Sequence, residues 1–182
     1  SYLVEEWTDY RAVLAWDAAF FLLVLGVSIF FSRALGGALV PRRISIDRFF
    51  TYLIAQAVLS FVVVSTGPWL NRLFDLEEVS YSSIFVGSPA PLLLAMLSTA
   101  VFPAITEELA FRGLFFGQLQ RLMGGASAVI VSAILFATVH FAMLSMYWLL
   151  PAGLLFGWIR HREGHIWWGV LLHMSHNALV VW

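Results

Sequence analysis

Apolar runs about as long as a bilayer is thick recur along this chain, and they leave few folds open to it. A membrane-spanning helix needs about 20 mainly apolar residues. Six stretches qualify or come close: 13–32, 49–67, 91 to about 120, 126 to about 146, 148–160 and 166–182. Backbone N–H and C=O groups find no water in hydrocarbon, so such runs cross as helices whose hydrogen bonds are internal. Composition agrees, with 61% hydrophobic and 12% charged residues against about 45–50% and about 25% in soluble domains. The expectation is all-α: a polytopic membrane helix bundle of about six transmembrane helices, forming one integral-membrane domain over residues 1–182.

Composition also removes whole classes of function. The net charge is −1 and no basic tract occurs, so no nucleic-acid partner is expected. Cysteine is absent, which excludes disulfides, thiolate metal sites and a cysteine nucleophile. Eight Trp and five Tyr suit a protein with many interfacial anchors. The acidic opening Glu5, Glu6 and Asp9 lacks the basic region of a cleaved signal peptide, so the first run is expected to be a retained span.

Loop charge predicts the topology. All ten basic residues are arginine, and Arg33, Arg42, Arg43 and Arg48 crowd the first loop against a lone Asp47. Arg121 follows the third run, and Arg160 and Arg162 follow the fifth. The positive-inside rule then puts loops 33–48, 121–125 and 160–165 in the cytoplasm and both termini outside. A multi-pass protein of a bacterial inner (cytoplasmic) membrane is expected. The polar loop 68–90 reads as a connector rather than a lid. Two Gly-x-x-x-Gly pairs, Gly113/Gly117 and Gly153/Gly157, suit close helix crossings in lipid.

Within the third run stand Glu107, Glu108 and Arg112. Each costs about 2.5–3.5 kcal/mol at a helix centre even on lenient insertion scales. Glu108 and Arg112 are four apart and share a face, so they are expected to pair. Glu107 is rotated about 100° away, onto the face of Phe111 and Leu114, and must find its partner elsewhere. Pro103, one turn earlier, should bend the helix beside the acids. Candidate partners are His140, one turn after Phe136 in the fourth run, and His173 and Asn177, one turn apart in the last. His176 lies on an adjacent face and reads as a histidine bonded to a backbone carbonyl.

An acid and two imidazoles on three helices can hold a water or a metal, and the chemistry they permit is hydrolysis. Water needs a base, and a carboxylate shielded from solvent becomes a stronger one. An attacked carbonyl needs fixed donors for its oxyanion, which His173 and the Asn177 amide can supply. Alternatively Glu107, His140 and His173 are the ligands of a zinc ion that carries the water. Spacing leaves both open, although no His-Glu-x-x-His motif favours the metal.

Glu107-Glu108-x-x-x-Arg112, Phe136-x-x-x-His140 and His173-x-x-x-Asn177, in this order and each in its own span, resemble the three signatures of the CPBP intramembrane proteases. That family includes the type II CAAX prenyl endopeptidases and the bacteriocin-processing, or ABI, proteins. The resemblance covers about residues 91–182 and leaves 1–90 as two accessory spans with their loops. It implies an endopeptidase that cleaves a peptide bond near the membrane, with its site between the last four helices. It also implies that Glu107 and His140 activate the water, that His173 and Asn177 stabilise the oxyanion, and that Glu108 and Arg112 support the site. A metal-free mechanism is preferred, since an Asn oxyanion donor gives His173 a task other than ligation; zinc is the alternative cofactor. The implied partners are the bilayer and a peptide or membrane-anchored protein substrate, such as a bacteriocin leader or a sorting-signal tail. The rival readings are a non-catalytic immunity or scaffold subunit and a small proton-coupled transporter.

Overall fold

The computed structural model describes residues 9–43, 45–75 and 81–180. The acidic opening at Glu5 and Glu6, part of the 68–90 loop and the end of the sixth run lie outside the described residues. Regular structure among them is helical throughout. Six helices of fourteen residues or more follow in order: α1 (Tyr10–Phe30), α2 (Ile46–Leu73), α3 (Pro91–Met123), α4 (Gly125–Thr138), α5 (Met146–Glu163) and α6 (Trp167–Val180). By length and composition α1, α2 and α3 can each cross a membrane.

Their ends follow local chemistry. The Asp9 and Ser45 side chains accept from the backbone N–H of Arg11 and Arg48, capping α1 and α2. Pro91 occupies the first turn of α3, where its missing N–H has no partner to lose. Gly124, at φ +82°, makes the sharp turn between α3 and α4, and left-handed Gly164 ends α5.

The fourth run departs from expectation. It stops being helical at Thr138 rather than continuing to about 146, and residues 139–145 form a turn with Phe141 at φ +50°. No Gly or Pro announces this stop. The His140 Nδ1 lies 2.7 Å from the Phe136 carbonyl, one of the acceptors a helix end leaves without a partner. The cap comes from a residue that reads in sequence as the helix's own continuation. α5 is correspondingly longer than 148–160, at 18 residues. Arg160 also belongs to α5 rather than to the following loop, and is buried.

α3 carries two π-helical segments, Leu97–Val101 and Glu108–Phe115, flanking the α-helical turn that contains Pro103. The disturbance expected from Pro103 therefore takes the form of a widened register on either side of it. At the second segment the Arg112 carbonyl accepts from Arg160 Nε at 2.9 Å.

α4 and α5 pack most closely. A Cβ on Gly153 would stand 3.0 Å from the Ala133 Cα, and one on Gly157 would stand 3.4 Å from Ser132 Oγ. This Gly-x-x-x-Gly pair is a true close crossing. The arginine-rich loops gather at one end of the bundle: Ile166 N–H donates to Ala38 O, Trp167 Nε1 to Leu39 O, and Arg48 pairs with Glu163 at 3.1 Å. Large apolar side chains such as Leu22, Ile29, Ile54 and Phe61 face outwards, while Glu108, Arg112, Ser132 and His176 are buried. Lipid outside and polar groups inside is the distribution of a chain dissolved in a bilayer.

Candidate active site

Glu107 sits at the middle of α3, sixteen residues from either end. At the onset of the π segment Glu108 and Arg112 form the expected pair, with Arg112 Nη1 3.0 Å from Glu108 Oε1 and both side chains fully buried. The guanidinium also donates to the Gly153 carbonyl at 3.1 Å and lies 4.4 Å from the Phe136 ring centre. Burying two charges is expensive; the bond to Gly153 offsets part of that cost, while Arg112 Nε has no hydrogen-bond partner among the described residues. The close α4–α5 crossing at Gly153 is thus also what brings a carbonyl to Arg112.

The downstream histidines converge on the acids as expected. His173 Nδ1 is 3.2 Å from Glu108 Oε1, and its Nε2 is 3.7 Å from Glu107 Oε2. His140 Nε2 is 3.8 Å from the same Glu107 oxygen. Both separations exceed a direct hydrogen bond, and Glu107 Oε2 is buried with no hydrogen-bond partner among the described residues. Because His140 Nδ1 is engaged with a carbonyl acceptor, it carries the proton in the neutral ring, and Nε2 then presents a lone pair towards Glu107. Aromatic rings fix both imidazoles. Phe136 meets His140 and His173 edge-on at 4.9 and 5.9 Å, and Phe156 stacks on His173 at 5.1 Å.

Asn177, one turn beyond His173, lines a cavity of about 650 Å³ with Glu107, His140 and His173. A second cavity of about 820 Å³, almost wholly apolar, runs between α1 and α3 and also reaches Glu107 and His140. The two open spaces meet at the same acid. The expected connector 68–90 is only partly a loop: α2 runs on through Pro68 to Leu73, and Leu70 and Asn71 line the polar cavity, while residues 81–90 line neither cavity.

Several contributors are silent in sequence. Gly169, one turn before His173, has no room for a side chain, since a Cβ there would stand 2.6 Å from Glu108 Oε2. The first two spans are not bystanders: Asp17 of α1 and Gly67 and Asn71 of α2 line the polar cavity. His176 does not bond a backbone carbonyl. Its Nδ1 lies 2.8 Å from Ser60 Oγ, which also accepts from Gln56 Nε2, and this buried chain joins α6 to α2.

Glu107, His140 and His173 are the donors that would hold the zinc of the alternative scheme, with the two Nε2 atoms 3.8 and 3.7 Å from Glu107 Oε2, and the other nitrogen of His173 faces Glu108, as the second nitrogen of a zinc-bound imidazole commonly faces a carboxylate.

No curated protein and no solved structure matches the chain. Residues 89–179, half of the chain, match the family described as type II CAAX prenyl endopeptidase, Rce1-like. The match begins two residues before α3 and ends within α6, so it encloses the paired acids, both histidines and Asn177. An integral membrane protein in its lipid-facing surface and a protease in its ancestry, the chain belongs to the Rce1-like type II CAAX prenyl endopeptidases.

Proposed function

We propose that the chain is an intramembrane endopeptidase that hydrolyses a peptide bond with a water activated by Glu107 and His140. The observation that carries this reading is the buried Glu107 Oε2, without a hydrogen-bond partner and 3.7–3.8 Å from two imidazole nitrogens. A bridging water spans such separations. Its two O–H bonds point at the Glu107 carboxylate and the His140 lone pair, which leaves an oxygen lone pair for attack. As the oxygen adds to the peptide carbonyl, one proton passes to the Glu107–His140 pair. The same pair returns it to the departing nitrogen as the C–N bond breaks, giving a carboxylic acid and an amine.

The oxyanion formed in between lies against His173 and the Asn177 amide. His173 already donates from Nδ1 to Glu108, so donation from Nε2 requires both ring nitrogens to be protonated. Glu107, Glu108, Arg112 and a doubly protonated His173 then sum to zero charge, a favourable total inside a membrane. Glu108 and Arg112 act through His173, holding its ring.

The apolar cavity between α1 and α3 suits the lipid-facing part of a membrane-anchored substrate, and the polar cavity suits its peptide. The family's name specifies prenylated substrates; the groove fits any apolar anchor. Both termini face outwards and the arginine-rich end lies in the cytoplasm of a bacterial inner membrane, with α4, α5 and α6 completing six crossings.

The test is comparison of membrane-protein termini in cells carrying wild type or Glu107→Gln. Loss of one or a few specific cleavages, with Glu107→Gln present at normal abundance, is the expected result. Identical termini in both strains would favour the scaffold reading. Metal analysis of purified active protein is expected to find zinc far below one equivalent. One equivalent that disappears with His140→Ala would replace the metal-free scheme.

A further inference from the structure

Asp17 is an acid within an apolar helix, and it has no role in the chemistry above. It lines the polar cavity, and its Oδ2 accepts a hydrogen bond from Ser98 on α3. Among the described residues it forms no ion pair. Asp17 is half-buried, whereas the fully buried Glu108 has an arginine. Among the described residues Asp17 and Glu107 are the only charged side chains on the cavity wall besides the histidines, and no arginine lines it. An intramembrane carboxylate is costly unless something neutralises it. Ser98, Thr99 and Asn71 line the same cavity and add oxygens that can accept from the N–H groups of a cation.

Resting on the endopeptidase reading, we infer that Asp17 is a specificity-determining residue that receives a basic side chain of the substrate, arginine or lysine. The distance fixes where that side chain stands. Ser98 and Glu107 are nine positions apart on α3, roughly 13–14 Å along the axis. An extended peptide advances about 3.3 Å per residue, so the basic residue lies about four residues from the bond that is cut. A guanidinium there meets Asp17 in a bidentate, charge-assisted pair while the backbone reaches Glu107.

The hydrogen bond to Ser98 allows a purely structural alternative, in which Asp17 only staples α1 to α3. Asp17→Asn separates the two, because the amide oxygen still accepts from Ser98 while the charge is gone. The experiment uses the full chain in phospholipid nanodiscs and acyl-anchored peptides that carry arginine, its neutral isostere citrulline, or glutamate at successive positions from the anchor. Cleavage is read by mass spectrometry on protein with an intact Glu107. Equilibrium binding of the same peptides is read on Glu107→Gln protein, with and without Asp17→Asn. At one position arginine should be preferred over citrulline about tenfold, the size of one charge-assisted hydrogen bond, and glutamate should be the worst of the three. Asp17→Asn should bring the arginine-to-citrulline ratio close to one. A ratio near one with Asp17 present, or a preference that survives Asp17→Asn, overturns the assignment. If no peptide is cut but the binding preference appears and vanishes with Asp17→Asn, proteolysis fails as the function while the basic-residue site stands.

Discussion

The two halves of this bundle are built on different terms. α5 buries eight of its 18 residues, among them Arg160 and Glu163, and packs backbone against backbone with α4 at Gly153 and Gly157. α1 buries only Val24 and Ser28 of its 21 and shows the bilayer Trp16, Leu22, Leu23 and Ile29. Close packing stands behind the reacting groups, and the more lightly packed α1 contributes wall to both cavities. Positioning within about half an ångström needs locked neighbours, whereas admitting a substrate from lipid needs a wall that gives. The two halves should therefore fail differently when altered.

The largest effect should come from Glu107→Gln, which keeps the side chain's size and removes the base. A fall of about 10²–10⁴ in turnover is expected, with unchanged yield of folded protein in detergent. A variant that retained turnover would leave the rigid half without its reason. Next comes Arg112→Leu, which strands the Glu108 carboxylate in a site with no exposure. Removing one partner of a buried pair costs about 3–5 kcal/mol, so folded yield and melting temperature should drop together. Adding Glu108→Leu should recover much of the stability but not the activity, because His173 loses the acceptor at its Nδ1.

Gly169→Ala is smaller and sharper. The new methyl would press on Glu108 Oε2, and overpacking of this kind costs about 1–3 kcal/mol. Since Glu108 holds His173, kcat should fall further than thermal stability predicts, with KM little changed. Equal loss in a control such as Gly26→Ala, where a Cβ meets nothing within 4 Å, would remove the distinction between the halves.

These variants also separate what was readable in the residues from what was not. Charged and imidazole groups inside apolar runs stand out in one dimension because their desolvation cost demands an explanation, so Glu107, Glu108, Arg112, His140, His173 and Asn177 could all be named from spacing. The face assignment of Glu107 against Glu108 survived even though the helix is π-wound there. Gly169 was not readable, because its importance lies in an approach from another helix. The end of α4 was hidden for a related reason: the residue that caps it is an imidazole on a continuous apolar stretch, and nothing local distinguishes that from a helix running on. Asp17 was visible as a charge, but only the packing of α1 on α3 places it in the cavity with Glu107.

The smallest effect should come from the loose half. Leu23 and Val27 line the apolar cavity and are also open to lipid. Trimming both to alanine removes several buried methyl groups from any anchor lying in the groove, at about 0.8 kcal/mol per buried CH₂ and less where the groove is open. A rise in KM of about three- to tenfold for membrane-anchored peptides is expected, with kcat and folded yield unchanged. Water-soluble peptides of the same sequence should show no such rise, since they have nothing to place against α1. If kcat falls instead, α1 takes part in holding the reacting groups, and the division between a locked half and a yielding wall is wrong. If soluble and anchored peptides suffer alike, the groove is a surface of the fold and substrates reach Glu107 through the polar cavity alone.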